Sequence, residues 1–229
     1  MKNFGKLEKK LNINFTNQDL LTTSMVHRSY INEHPSFKLD HNERLEFLGD
    51  AVLELVVTKH LYLNYKNPEG ELTNWRASLV NSTMLAKIAE KLELNEFLYL
   101  SKGEAKDDNT KARQYILANA FEALIGAIYL DQGLETADKF IKEHILSELE
   151  AILQNHLYLD PKSKFQEAAQ EKFGITPSYK VISETGPDHN KKFIVGVHLD
   201  KKLIAKGEGT SKHEAQVAAA EAGLEQKGW

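Results

Sequence analysis

The spacing of apolar residues along the first two thirds of the chain predicts helices almost throughout. From about residue 3 to 155, apolar positions recur three and four apart in segments such as MLAKIAEKL and ADKFIKEHILSELEAILQ, which is the repeat of an amphipathic helix. Pro, Gly, Asn and Asp cluster at NEHPSFKLD, NPEGE, SKGEAKDDNTKAR and DQG, and such clusters break helices. We therefore expect several packed helices and no strand over residues 1–155.

The pattern changes after LYLDPKS. A helix at about 162–173 is followed by SYKVISETG, KKFIVGVHLD and KLIAKGEG, which alternate or are rich in β-branched residues, as strands do. Ser211 and Glu214 fit the capping box of a last, alanine-rich helix. The pattern predicts a small α-β-β-β-α domain over residues 161–229, joined to the helical part by a short linker at 156–160.

Composition and charge exclude several classes of protein. The 229 residues are 41% hydrophobic and contain no cysteine, which excludes disulfides and thiolate chemistry and makes the cytoplasm the expected compartment. No apolar run approaches the roughly 18 residues of a membrane span. The net charge of −4 hides two unlike parts, because residues 161–229 hold 11 Lys and 9 acidic residues, a net charge of +2, while the rest carries −6.

Three acids interrupt an otherwise apolar helix in HNERLEFLGDAVLELVV, residues 41–57. At about 100° per residue, Glu43, Glu46 and Asp50 share one face and the aliphatic residues the opposite one. A surface helix with solvated charges is the ordinary interpretation. However, the flanking positions are also apolar, and carboxylates crowded in a cleft need protons or a cation. Oxygen ligands alone favour a hard ion such as Mg²⁺ or Mn²⁺.

A second helix, ILANAFEALIGAIYLDQG at residues 116–133, is also apolar with one polar stripe. Asn119 and Glu122 stand three apart on one face, and Gly126, one heptad after Asn119, would let a facing helix approach closely. A buried helix with a satisfied polar pair is the ordinary interpretation of this stretch alone. Taken together, the two helices favour a shared metal site.

These two stretches also carry a resemblance to a known family. NERLEFLGDA closely resembles the signature of ribonuclease III, and LANAFEALIGAIYLD is similar to that family's second acidic helix. TTSMVHRSY (22–30), NWRASLVN (74–81) and the α-β-β-β-α tail follow in the family's order, so the resemblance covers almost the whole chain. It implies an all-α endonuclease domain at 1–155, followed by a small α+β double-stranded RNA-binding domain at 161–229.

The resemblance also implies roles for the polar residues of the two helices. Glu46, Asp50 and Glu122 would be metal ligands or hold metal-bound water, with Asp50 and Glu122 as the catalytic acids and Glu43 as a supporting acid or RNA contact. Asn119 would be the fourth metal position, where most members have Asp. A neutral amide offers an oxygen but less charge, so the chain is expected to be either an active nuclease or a duplex-binding protein impaired in cleavage.

An active site of this kind would hydrolyse RNA with Mg²⁺, for which Mn²⁺ could substitute, and would leave 5′-phosphate and 3′-hydroxyl ends. The resemblance implies a homodimer, since cutting both strands of a duplex needs two sites, and a role in processing and decay of rRNA and mRNA. Phe47 resembles the aromatic that fills a pocket of the other subunit, although an ordinary core Phe fits equally. No small-molecule cofactor and no membrane partner are expected.

Two sets of residues are expected to contact RNA. Around the acids the candidates are basic, although any one of them could equally be a solvated or ion-paired surface charge: Arg28, Arg76, Lys102, Lys106, Lys111 and Arg113. In the tail, the resemblance places Ser163, Gln166 and Glu167 against the minor groove, His189 in the next minor groove and Lys212 on phosphates. A generic α/β domain, and a structural helical dimer with an RNA-binding tail, are the remaining alternatives.

Overall fold

The computed structural model describes residues 2–107, 110–158, 160–187 and 191–229. Its contacts divide the chain into two compact units, and the division falls between Asn155 and His156. The first unit is helical and the second contains a sheet. The predicted fold class, an all-α domain followed by an α-β-β-β-α domain, is confirmed.

Nine α-helices make up the described part of the first unit. Their bounds are α1 Gly5–Leu11, α2 Gln18–Ser24, α3 Arg28–Glu33, α4 Glu43–Asn64, α5 Glu69–Val80, α6 Ser82–Lys91, α7 Lys102–Lys106, α8 Lys111–His144 and α9 Leu149–Gln154. Short 3₁₀ turns lie at Leu94–Glu96 and Leu146–Glu148. The only extended pairing among the described residues of this unit is an isolated bridge between Val26 and Tyr99, in agreement with the strandless pattern.

Helices α4 and α8 form the centre of this unit, and their aliphatic faces supply much of its buried core. The predicted break at DQG is visible inside α8, where Gly133 has a φ of 80° and a non-helical backbone. Only glycine adopts such an angle without strain. The helix therefore has a kink at Gly133.

A pair of glycines brings α4 and α8 into backbone contact. A Cβ atom at Gly49 would lie 1.8 Å from the carbonyl oxygen of Glu122, and one at Gly126 would lie 2.3 Å from that of Leu45. The close approach predicted from Gly126 is thus present. Gly49 was not singled out in the sequence, although a glycine inside an apolar helix signals such a contact, because it otherwise costs helix stability.

The second unit consists of α10 Pro161–Phe173, β1 Ser178–Thr185, β2 Lys192–Leu199, β3 Lys202–Gly209 and α11 Lys212–Lys227. The three strands form one antiparallel sheet in the order β1-β2-β3. One face of the sheet packs on the two helices around Phe165, Val197 and Ala219. The predicted cap of α11 is present, since Ser211 Oγ accepts a hydrogen bond from the backbone N–H of Glu214 at 3.1 Å.

No helix in the described residues is long and apolar enough to cross a bilayer.

Candidate active site and RNA interface

The three acids of the first predicted stretch lie near the N-terminus of α4, which begins at Glu43. Two of them, Glu43 and Glu46, occupy the first turn, where carboxylates complement the helix dipole. Glu46 is half-buried, while Glu43 and Asp50 are exposed. The helix therefore presents the acids along one edge while its aliphatic face, including Leu45 and Val52, is buried in the core.

Glu122 on α8 faces the same acids. Burial, together with the negative charges of Asp50 and Glu46, raises the pKa of its carboxyl from 4.5 to about 7. Carboxylates influence one another in this way only when they share a weakly solvated site. The structure thus brings Glu46, Asp50 and Glu122 together, as the two polar stripes predict.

Asn119 lies one turn before Glu122 and points to the same cluster. Burial raises the pKa of Glu46, as do the charges of Glu43 and Asp50, whereas a hydrogen bond from the Asn119 side-chain amide lowers it. The amide therefore stabilises an ionised Glu46 in part. An aspartate in its place would instead add a further negative charge to the cluster.

The cluster fits a hard divalent cation by the chemistry of its donors, which are three carboxylates and one amide, all oxygen ligands. The charges of Asp50 and Glu46 raise the pKa of the buried Glu122, and a divalent cation would offset this repulsion. Among the described residues, no three His, Asp or Glu side chains lie close enough together to hold an ion as they stand. The side chains would have to close on a cation, or reach it through water.

Glu43 has partners outside the cluster. Its carboxylate lies 3.7 Å from Arg28 Nη1 and 3.7 Å from His41 Nδ1. It influences Glu46 only through its charge. This geometry is compatible with the supporting role expected for Glu43, and it also occupies Arg28, which was a candidate RNA contact.

The other two arginines that are candidate RNA contacts, Arg76 and Arg113, differ in their surroundings. Arg76 on α5 is paired with Glu54, one turn beyond Asp50 on α4, at 3.0 Å, and donates to Thr58 Oγ1 at 3.0 Å. Arg113 is only 4% exposed and bonds to protein oxygens. The structure does not support a phosphate contact for Arg113, because its guanidinium faces the interior.

Phe47 lies beside the acids and is 82% exposed. The interpretation of Phe47 as an ordinary core residue is therefore wrong. Three further apolar side chains of α4 are also exposed, Leu55 by 56%, Tyr62 by 73% and Leu63 by 63%. A cavity of about 610 Å³ opens beside Tyr62 and is lined by Leu61, Tyr65 and other residues of α4, α5 and the segment between them.

In the tail, Ser163, Gln166 and Glu167 are exposed on one face of α10. The hydroxyl of Ser163 donates to Asp160, the N-cap of that helix. Lys212 is exposed in the first turn of α11, with its ammonium group 5.8 Å from the centre of the Phe193 ring. His189, the remaining predicted contact, lies outside the described residues.

The N-terminal parts of the two tail helices are in contact. Lys162 Nζ on α10 donates to Gln216 Oε1 on α11 at 2.8 Å, and it also lies 5.4 Å from the centre of the Tyr179 ring. Lys162 was not singled out in the sequence. Its contact brings the exposed face of α10 and the start of α11 to one side of the unit.

Family comparisons agree with this division of the chain. A family model described as Ribonuclease-III-like matches residues 17–149, and one described as double-stranded RNA binding motif matches residues 161–227. The fold and the acid cluster, together with these matches, define a nuclease with an attached module for duplex RNA.

Individual relatives identify the family. The chain is 44% identical to Ribonuclease 3 of Oceanobacillus iheyensis over 96% of each chain, and 43% identical to that of Borreliella afzelii over 94% of this chain and 88% of the relative. The nuclease domain of ribonuclease III from Campylobacter jejuni matches with a TM-score of 0.57 and 40% identity, over 63% of this chain and 97% of that one; its structure concerns flexibility in a region involved in dimer formation. The chain belongs to the ribonuclease III family and is an endoribonuclease that acts on double-stranded RNA.

Proposed function

We propose that this endoribonuclease depends on a divalent cation, Mg²⁺ or in its place Mn²⁺, held by Glu46, Asp50, Asn119 and Glu122. The observation that carries the proposal is the convergence of these residues from α4 and α8, where burial beside Asp50 and Glu46 raises the pKa of Glu122 to about 7. Negative charge of this kind on oxygen ligands favours binding of a hard cation. A bound cation would lower the pKa of a water molecule and stabilise the departing 3′ oxygen.

The protein's own groups would supply the rest of the reaction. Asp50 and Glu122 are the proposed catalytic acids, and Glu122 must lose its proton before it can act as a ligand. Asn119 orients Glu46 through its amide hydrogen bond. Glu43, paired with Arg28 and His41, would support the cluster by charge. Hydrolysis at this site leaves 5′-phosphate and 3′-hydroxyl ends.

Metal affinity is expected to rise about tenfold between pH 6 and pH 8, because a cation must displace the proton that Glu122 holds below its pKa of about 7. Calorimetric titration of Mg²⁺ into RNA-free protein at pH 6, 7 and 8 measures the effect. Glu122→Gln should bind more weakly and lose most of this pH dependence. A wild-type affinity that stays constant across this range would contradict the proposed role of Glu122.

The Asn119→Asp variant tests the nuclease against the alternative, a duplex-binding protein impaired in cleavage. We expect the wild-type chain to cut a long RNA duplex, and Asn119→Asp to reach half-maximal rate at about tenfold lower Mg²⁺, since the added carboxylate strengthens cation binding. Cleavage is measured against Mg²⁺ concentration for both proteins. If the wild-type chain binds the duplex without cutting it while Asn119→Asp cuts, the binding-protein interpretation is correct.

We further propose a homodimer built on α4. Phe47, Leu55 and Tyr62 are exposed along this helix, and Leu55 lies midway between the other two. Within one helix, Phe47 and Tyr62 are about 22 Å apart. A two-fold axis near Leu55 would therefore place Phe47 of each copy opposite Tyr62 of the other copy. The cavity beside Tyr62 could then receive Phe47, and two acid clusters would face the two strands of a duplex.

Residues 1–155 are the proposed catalytic domain and residues 161–229 the proposed RNA-binding domain, joined at 156–160. The position of the contact boundary after Asn155 supports these limits. Membership of the family supports a role in processing and decay of structured rRNA and mRNA. The cytoplasmic location expected from the cysteine-free sequence stays a prediction.

In the tail we propose that Ser163, Gln166, Glu167 and His189 contact minor grooves and that Lys212 contacts phosphate. Lys212→Ala is expected to weaken duplex binding severalfold and to reduce the salt slope by about one unit, because one phosphate contact is lost. Binding of the full chain to duplex RNA in EDTA, measured at several salt concentrations, gives both values.

Lys201→Ala is the matched control for this prediction. Lys212 lies over Phe193, which pairs with Gly209 at the end of the sheet where α11 begins. Lys201 lies in the turn between β2 and β3, at the opposite end of the sheet. The control removes the same charge but should leave the salt slope unchanged. Equal effects of the two substitutions would show that net charge, and not a specific contact, determines binding.

A further inference from the structure

Arg113 is a charged side chain held inside the protein by oxygen atoms from two other segments. It lies in the first turn of α8 and is 4% exposed. Its guanidinium donates to the carbonyl oxygens of Glu104 and Asp107, the latter at 3.3 Å, and to Asn95 Oδ1 at 3.2 Å. A planar guanidinium can hold several acceptors in fixed directions, which a lysine cannot.

Two of these acceptors belong to residues 101–107, here called the clamped segment, which contains α7. The other end of the clamped segment is anchored to α3. Ser101 N donates to Ser29 Oγ at 3.1 Å, and Lys102 N donates to Glu33 Oε2 at 3.0 Å. The segment is thus hydrogen-bonded to α3 at its start and to Arg113 at its end. These bonds hold it in place even though α7 has only five residues.

The clamped segment lies close to the start of the acidic helix. Ser29, which accepts the hydrogen bond from Ser101, is next to Arg28, and Arg28 lies 3.7 Å from Glu43 at the start of α4. Burial lowers the pKa of the adjacent His27, and the charges of Glu104 and Glu43 oppose this shift. The segment also carries Lys102 and Lys106, both exposed. Both lysines are therefore carried on a backbone that Arg113 holds in place.

We propose that Arg113 is a positioning residue for the RNA substrate: it fixes the clamped segment so that Lys102 and Lys106 hold phosphates of the duplex beside the acid cluster. The inference rests on the proposed function of that cluster. It replaces the direct phosphate contact expected from the sequence, and it predicts that Arg113 affects binding of substrate more than the chemical step.

Kinetics of the full chain with Mg²⁺ and a short RNA duplex test the proposal. Arg113→Met should raise KM about tenfold and lower the salt slope of binding, with kcat within about twofold, because phosphate contacts are lost but the acids remain. Arg113→Lys keeps the charge but can reach fewer acceptors. Its KM should therefore lie between those of the wild type and Arg113→Met. A lower kcat with unchanged KM would overturn the proposal.

A matched control separates this role from general loss of stability. Asp131 accepts hydrogen bonds from Thr16 N and Asn17 N at 2.9 and 2.8 Å, away from the acids and the clamped segment. Asp131→Ala should lower the melting temperature without changing KM. A rise in KM equal to that of Arg113→Met would overturn the positioning role.

Amide hydrogen exchange and duplex binding in EDTA give readouts that need no cleavage. Exchange over residues 101–107 should accelerate in Arg113→Met and not in Asp131→Ala, together with weaker duplex binding. Accelerated exchange with unchanged duplex affinity would overturn the proposal. If Mg²⁺ does not support cleavage by the wild-type chain, the proposed cation-dependent function fails, and these two measurements still decide whether Arg113 positions an RNA-binding segment.

Discussion

Glu122→Gln is expected to reduce cleavage of an RNA duplex by at least about 10³-fold, while duplex affinity without metal stays within about twofold. The substitution keeps the size of the side chain but removes one of the three carboxylates that surround the proposed cation site. Loss of a ligand charge at such a site costs several kcal/mol of transition-state stabilisation, and about 1.4 kcal/mol corresponds to a factor of ten in rate. Single-turnover cleavage and a binding assay in EDTA measure the two quantities separately.

A matched comparison is Glu54→Gln, which removes a carboxylate from the same side of α4. Glu54 is bound to Arg76 at 3.0 Å and has no proposed role at the cation. It should lose little cleavage activity. If cleavage survives Glu122→Gln undiminished, the proposed set of metal ligands is wrong.

Glu122→Gln should lower cleavage but raise the stability of the metal-free protein. The pKa of Glu122 is raised from 4.5 to about 7 in the folded chain, so ionisation disfavours the folded state. This penalty is absent below about pH 4.5, grows as the pH rises, and is complete above pH 7. Glutamine never carries the charge. In EDTA at pH 8, Glu122→Gln should therefore raise the free energy of unfolding by about 1 kcal/mol, discounted for partial exposure, with no gain at pH 4.

The acid cluster could be predicted from the sequence because a helix fixes the angle between residues. Glu46 and Asp50 are four apart and Asn119 and Glu122 three apart, so each pair shares a face whatever the surroundings. The small side chain of Gly126 then indicated close approach of the second helix. What the sequence could not show is the protonation of Glu122, which depends on its burial and on charges from another helix.

The role of Arg113 could not be predicted for a related reason. An arginine in the first turn of a helix after a polar loop has the pattern of a surface charge. Its acceptors, Asn95 and the carbonyls of Glu104 and Asp107, surround it only after α7 and the preceding 3₁₀ turn have packed against α8. Phe47 illustrates the same limit, since its apolar character was compatible with either core or surface until the structure showed it to be exposed.

Gly49→Ala is expected to lower the free energy of unfolding by about 3 kcal/mol or more and to abolish cleavage. The added Cβ would lie 1.8 Å from the carbonyl oxygen of Glu122 and 2.9 Å from the backbone N of Gly126. These neighbours are backbone atoms that cannot rotate away, so α4 and α8 must separate, and core contacts between them are lost. Urea unfolding of the metal-free protein measures the loss.

Gly70→Ala provides the control, because it makes the same change in α5, where nothing lies within 4 Å of the added Cβ. Alanine has the higher helix propensity, so this variant should be as stable as the wild type or more so by up to about 1 kcal/mol. Full stability and activity in Gly49→Ala would contradict the backbone contact between α4 and α8. Because that contact involves the backbone of Glu122 itself, even a variant rescued by stabilising conditions should bind Mg²⁺ weakly, since separation of the helices moves Glu122 away from Glu46 and Asp50.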